Sequence, residues 1–366
     1  MDSAGRMIAP EDLRAAVASG VVTEAQAASI TALADTRAGK RQALPAEDEP
    51  FEFFRGFSEI FVSLGLLIAL AGIAAMTGIV GRGAGQVSLC VITAFIVWCG
   101  AEYFTLKRRM NLPSMVLAAA FGISIFAAAS MVVDESGALP RYRAVAGFGL
   151  AALGMAIWYR RFRLPFSVFV LGVFALGAAY TGMSALEYPS VSAPVFGDEF
   201  YLGKAFNLRQ NPHAWAILAF GIAAFTAAMW FDTRDPHRLG RASATAFWLH
   251  ILAAPALVNP VALTLWNLGG TVGIVSLAAA LVVIAALALV IDRRSFLTAA
   301  LVYIALVIGW VTERQPEYIT WPLILFGLGA FVTAVGTWWV PLRSALMRRL
   351  PSFPGKSRLP PYAENA

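Results

Sequence analysis

RASATAFWLHILAAPALVNPVALTLW, residues 241–266, holds a single ionisable side chain between its two ends, His250. A run this long and apolar can cross a hydrocarbon core of about 30 Å, which takes about 20 helical residues. Pro255 and Pro260 each remove a backbone N–H and free the carbonyl one turn earlier, at Ile251 and Ala256. In hydrocarbon those carbonyls need another donor, so this span belongs among other helices.

Composition extends the reading to the whole chain. Hydrophobic residues make up 59% of the 366 and charged residues 14%, against about 45–50% and about 25% in globular domains. This is the composition of a membrane protein. The net charge of +6 sits in short basic clusters between apolar runs, which is a topology signal and no nucleic-acid surface. Cys90 and Cys99 lie nine positions apart on one apolar run, on opposite faces and too distant along the axis for a disulfide, and read as small buried residues.

The expected fold is all-α, a polytopic transmembrane bundle. Ten runs are long enough to span, at 61–80, 87–106, 113–133, 144–160, 165–184, 214–231, 242–266, 271–291, 296–311 and 319–340. Alternating the segments between them puts 22 of the 28 lysines and arginines on one side, Lys107 to Arg109, Arg293, Arg294 and a C-terminal group including Arg343, Arg348, Arg349 and Lys356 among them. Short cytoplasmic segments hold such an excess, so both termini are expected in the cytoplasm. Tryptophans give the same frame: Trp98, Trp158, Trp230, Trp338 and Trp339 fall near inner ends and Trp215, Trp266, Trp310 and Trp321 near outer ends, as interfacial belts require. Trp248 alone is placed deep.

Around the bundle, residues 1–38 read as a cytoplasmic helical hairpin: a helix from Pro10 stopped at Gly20, then a second opened by Thr23 and Gln26 at the spacing of a capping box. Residues 39–60 form a linker and an amphipathic interfacial elbow, 61–340 the bundle, and 341–366 a basic cytoplasmic tail read as an inner-leaflet contact. A long outer loop at 185–213 divides the spans five and five, which permits an inverted duplication, although no repeat is visible.

His250 is nine residues from Arg241, about 14 Å along a helix, and so near the midplane. Intramembrane ionisable groups are functional candidates, and a solute pathway past His250, Trp248, Ser243, Thr264 and Asn259 is one reading. A neutral imidazole bonded to a hydroxyl or a freed carbonyl is the other. Ser243 and Thr264 lie closer to the His250 face than Asn259 does, and no Asp or Glu falls at that depth in any expected span. Glu59 and Glu102, each about a turn inside the cytoplasmic ends of the first two spans, are a candidate gate; the competing reading pairs them with Arg55, Lys107 or Arg108. Glycines such as Gly65, Gly72, Gly147, Gly172 and Gly177 suit close helix contact. No HExxH, GxSxG or CxxC motif occurs, and no metal or cofactor site is expected.

The helix–turn–helix APEDLRAAVASGVVTEAQAASITAL and the span beginning EIFVSLGLLIALAGI resemble bacterial membrane proteins of the DUF2157 type over about the first eighty residues. The resemblance implies a bacterial inner membrane and a cytoplasmic N-terminal helical module, and carries over no site residues. Ten spans, a seventh span broken by Pro255 and Pro260 and the scarcity of charge within the spans lead to the expectation of a permease or flippase for a small neutral or amphiphilic solute. The alternatives are a non-transporting scaffold or regulator, whose N-terminal helices bind a protein partner, and a membrane enzyme. The bilayer is the one partner that composition itself requires; oligomeric state is left open.

Overall fold

The structure is a computed structural model and describes residues 10–23, 26, 29–30, 33, 57–79, 83–186, 206–234, 241–293, 320–352, 355–356 and 359–360. The described residues are helical, without strands. The chain forms two compact units, Met1–Glu49 with Pro361–Ala366, and Pro50–Pro360.

In the first unit, α1 (Pro10–Ala18) begins on its proline and ends where Gly20 turns left-handed at φ 74. The capping box is formed: Thr23 N–H donates to Gln26 Oε1 at 2.9 Å, and Gln26 N–H to Thr23 Oγ1 at 3.3 Å.

The second unit comprises α2 (Phe57–Ile79), α3 (Ala84–Ala101), α4 (Asn111–Glu135), α5 (Pro140–Phe162), α6 (Pro165–Leu186), α7 (Pro212–Asp232), α8 (Arg241–Trp266), α9 (Gly270–Ile291), α10 (Thr320–Thr337) and α11 (Trp339–Arg349). Prolines open α5, α6 and α7, where a missing N–H costs nothing. A π-helical turn, Glu102–Lys107, prolongs α3. Among the described residues seven helices are long and apolar enough to cross a membrane: α2, α3 with its π turn, α4, α6, α7, α8 and α9. α5 coincides with the expected run at 144–160 but carries arginines at both ends, and α10 with the run at 319–340. The run at 296–311 and most of the 185–213 loop lie outside the described residues.

Consecutive helices pack side by side from α3 through α6, and α6 joins this group to the tightly packed pair α7 and α8. α8 is the most buried of the seven, with 67% of its apolar window enclosed, against 6% for α2. Gly221 explains the close approach of α7 to α8: a Cβ there would stand 2.9 Å from the backbone of Ala256. Of the glycines expected at contacts, Gly147, Gly172 and Gly177 face side chains that a Cβ would strike, whereas Gly65 and Gly72 face open space.

The core of the first group is aromatic, which corrects the belt reading of Trp158. Trp158 is fully buried, with its ring 4.8 Å from Phe121, 4.5 Å from Phe162 and 5.6 Å from a half-buried Trp98. Rings pack into the helix seam because α3, α4 and α5 converge there, a feature that sequence position along a span does not encode. Trp339 is also buried. Trp215, Trp230, Trp266 and Trp338 are exposed, as an interfacial residue must be. Cys90 is buried as expected, but Cys99 is exposed.

Candidate functional site

Three helix ends meet at His250. Asp232 is the last residue of α7, and its carboxylate Oδ2 lies 2.8 Å from His250 Nε2. Arg293, two residues beyond α9, donates from Nε to the same oxygen at 3.2 Å and from Nη2 to Asp232 Oδ1. Its Nη2 also donates to the Ser243 carbonyl at 3.2 Å and to Ser243 Oγ at 3.1 Å. His250, Arg293 and Ser243 are fully buried and Asp232 is 7% exposed. A carboxylate held by a guanidinium is ionised and can only accept, so Nε2 carries the imidazole proton and donates it to Asp232.

The local structure explains this placement. Gly221 abuts Ala256 and Leu257, and Leu208 N–H donates to Thr264 Oγ1 at 2.9 Å, so α7 and α8 run antiparallel in a fixed register. In that register α8 overshoots the end of α7 by its first nine residues, about 14 Å, which brings His250 level with Asp232. The expectation that no carboxylate shares the level of His250 is thereby corrected. α9 ends with Asp292 in the left-handed region at φ 59, and Arg293 N–H reaches back to the Ala288 carbonyl at 3.1 Å, the Schellman arrangement that reverses the chain. That reversal carries Arg293 to Asp232.

Asp292 faces the other way. Its Oδ1 accepts from Trp339 Nε1 at 2.8 Å and lies 3.5 Å from Arg343 Nε, tying α11 to the end of α9. Arg343 Nη2 donates to the Pro360 carbonyl at 2.6 Å, and Lys356 Nζ to the carbonyls of Met347 and Leu350, both at 2.8 Å. Arg293 and Arg343, expected as a topology charge and a headgroup contact, are thus buried, Lys356 is half-buried, and Arg348 and Arg349 are exposed. The missed members of the cluster, Asp232 and Arg293, lay just beyond the ends of expected spans, and the only signal for them in the sequence was that position.

The other expected pathway residues separate. Trp248 packs against Phe166 at 4.8 Å and Phe169 at 5.4 Å, on α6. Thr264 donates to the Pro260 carbonyl at 2.6 Å. Asn259 Oδ1 is buried and accepts no hydrogen bond among the described residues. Only Ser243 joins His250, through Arg293. Among the described residues no group of three or more His, Cys, Asp or Glu could hold a metal ion.

The two gate candidates also go to different partners. Glu59, buried, accepts on Oε2 from the backbone N–H groups of Asn111 at 3.1 Å and Leu112 at 3.2 Å, so it caps α4. Glu102 makes a two-pronged ion pair with Arg161, at 2.9 and 2.8 Å. The Glu102 pair is half exposed and contributes about 1 kcal/mol or less. Glu59 is enclosed and satisfies two orphan helix donors, so Glu59→Ala is expected to cost about 1–2 kcal/mol, read as a drop in thermal midpoint in detergent; an unchanged midpoint would contradict the cap.

A second feature lies apart from His250. A cavity of about 640 Å³ runs between α2, α3 and α4, lined by Leu70, Ala74, Cys90, Met115, Ala119 and Ile123 among others, with Phe166 at one end. Its wall is almost wholly apolar, and its hydroxyls are committed to their own helices: Thr77 to Ala74 O at 2.6 Å, Thr93 to Leu89 O at 2.7 Å and Ser124 to Ala120 O at 2.8 Å. No residue of α8 lines it.

Compared with family models, with curated proteins and with solved structures, the chain matches none.

Proposed function

We propose that the protein is a permease or flippase for a small amphiphilic solute in a bacterial inner membrane, with ten spans and both termini in the cytoplasm. The observation that carries this reading is the apolar cavity between α2, α3 and α4. Its volume of about 640 Å³ falls within the roughly 300–1,000 Å³ of small-molecule sites. Its wall offers no free hydroxyl among Thr77, Thr93 and Ser124, so it suits a hydrocarbon chain better than a sugar or an ion. The buried cluster at Asp232, His250 and Arg293 supports the same reading by a different route. Its charges are spent on each other, so it fixes one half of the bundle as a frame against which the weakly buried α2 can move.

An untargeted lipid and metabolite comparison of a deletion strain with its parent tests the proposal. A lipid or amphiphile accumulating on one side of the membrane is the expected result, and unchanged pools and leaflet distributions would sink it.

One observation favours a second reading, a scaffold acting through its N-terminal helices. Val21 and Leu33 are 75% and 58% exposed, apolar surface that a partner would cover. On this reading, removing residues 1–40 abolishes function while the bundle still inserts; an unchanged phenotype with normal membrane levels would count against it.

A further inference from the structure

The cavity has a direction and a charged end. Glu59 on α2 holds the first residues of α4, Asn111 and Leu112, so these two helices start level and run parallel. Gln86 at the start of α3 donates to the Thr77 carbonyl near the end of α2 at 2.7 Å, so α3 runs antiparallel to both. Along α4 the lining extends from Met115 to Met131, about 24 Å of helix. It is therefore a slot, longer than the roughly 15 Å that one leaflet contributes to a core of about 30 Å. Among the described residues α2 packs chiefly on α4 and scarcely touches α3, which leaves the slot a lateral seam between α2 and α3.

At the slot's Met115 end the chain passes from the π turn into Arg108, Arg109 and α4. Lys107, Arg108 and Arg109 are all exposed, and no carboxylate pairs with them among the described residues. The nearby carboxylates are engaged elsewhere: Glu59 caps α4 and Glu102 is held by Arg161. From Asn111 to Met115 is only about 6 Å of helix, so the basic turn lies close to this end of the slot. Arg108 is further steadied by Tyr103, whose hydroxyl accepts from its Nε at 3.0 Å.

We infer that the slot is the seat of an anionic phospholipid, one acyl chain lying between α2, α3 and α4 and the phosphate held by Lys107, Arg108 and Arg109. The inference rests on the amphiphile-handling reading of the same cavity and names the amphiphile. Charge complementarity decides the occupant: an apolar slot alone would accept any chain, and a basic turn alone any anion, but the two joined end to end match an anionic lipid.

The test uses the full-length protein in vesicles containing phosphatidylglycerol or phosphatidylcholine with a photoreactive group in the acyl chain. Expected is cross-linking to residues 67–77 and 115–131, at least several-fold stronger for phosphatidylglycerol. Lys107, Arg108 and Arg109 changed together to Gln remove the headgroup preference, and because all three are exposed the fold is not at risk. Ala74→Phe and Ala119→Phe, filling the slot from opposite walls, each abolish cross-linking at those residues; thermal midpoints identify whichever variant folds and is to be read. Equal labelling by both lipids, or labelling that survives a folded slot-filled variant, marks ordinary surrounding lipid and overturns the inference. Failure of transport with cross-linking intact would refute the permease or flippase reading and leave the lipid site standing. Transport without this cross-linking would do the reverse.

Discussion

Arg293→Met lowers the stability of the bundle by about 3–5 kcal/mol, the cost of leaving a buried carboxylate without its cation. Arg293 is fully buried and makes bonds to both Asp232 oxygens and to Ser243. Methionine keeps an unbranched chain of similar length, so the loss is electrostatic and not a cavity. The partner change separates these causes. Asp232→Asn in the Arg293→Met background removes the stranded charge, and the double variant is expected to recover most of the loss, because a buried pair replaced as a whole is often near neutral. A double-mutant cycle on thermal or denaturant unfolding in detergent measures it. Single variants within about 1 kcal/mol of the parent, with additive effects, would mean that water reaches the cluster.

Trp158→Ala is expected to cost about 3 kcal/mol, and Trp158→Phe far less. In lipid the hydrocarbon competes with the core for apolar surface, so the transfer part of the usual 3–5 kcal/mol penalty shrinks and the cavity part remains. Trp158 fills the junction of α3, α4 and α5, in contact with Trp98, Phe121 and Phe162. Its indole N–H finds no hydrogen-bond partner among the described residues, so phenylalanine forfeits volume but no bond. A Phe variant as unstable as the Ala variant would show that the N–H matters and that the packing account is wrong.

These two residues mark what the sequence conveys and what it hides. Apolar length and basic punctuation made the helices legible, from the run at 61–80 to that at 271–291, because span length is set by bilayer thickness and is a local property. His250 stood out for the same local reason. Its partners did not, because they depend on how far one helix overshoots its neighbour. Asp232 and Arg293 are 61 positions apart and meet only after α7 and α8 have set their register and Asp292 has turned the chain. Trp158 looked interfacial because its distance from the span end is all that sequence reports; the azimuth that turns it into the seam comes from packing against α3 and α4. Glu59 and Glu102 were correctly placed near one end of the bundle, yet their partners, the Asn111 backbone and Arg161, are 52 and 59 positions away. The slot had no signature at all, since the same alanines and leucines would face lipid in a bundle with α2 rotated.

The slot also separates parts of the molecule that are held differently. Among the described residues α7, α8, α9 and α11 are pinned by Asp232, Asp292, Arg293 and Arg343, whereas α2 is held by the Glu59 cap, the Gln86 bond to the Thr77 carbonyl and its contact with α4. The proposed passage of an amphiphile along α2 would leave these buried charges in place.

The most direct measurement of that account is phospholipid translocation by the purified protein in sealed vesicles, with a headgroup-accessible fluorophore quenched from outside by a membrane-impermeant reductant. Loss of inner-leaflet label with the parent protein and its suppression by a folded Ala74→Phe variant are the expected result. Quenching confined to the outer leaflet with the parent protein, or translocation undiminished by the filled slot, would contradict it.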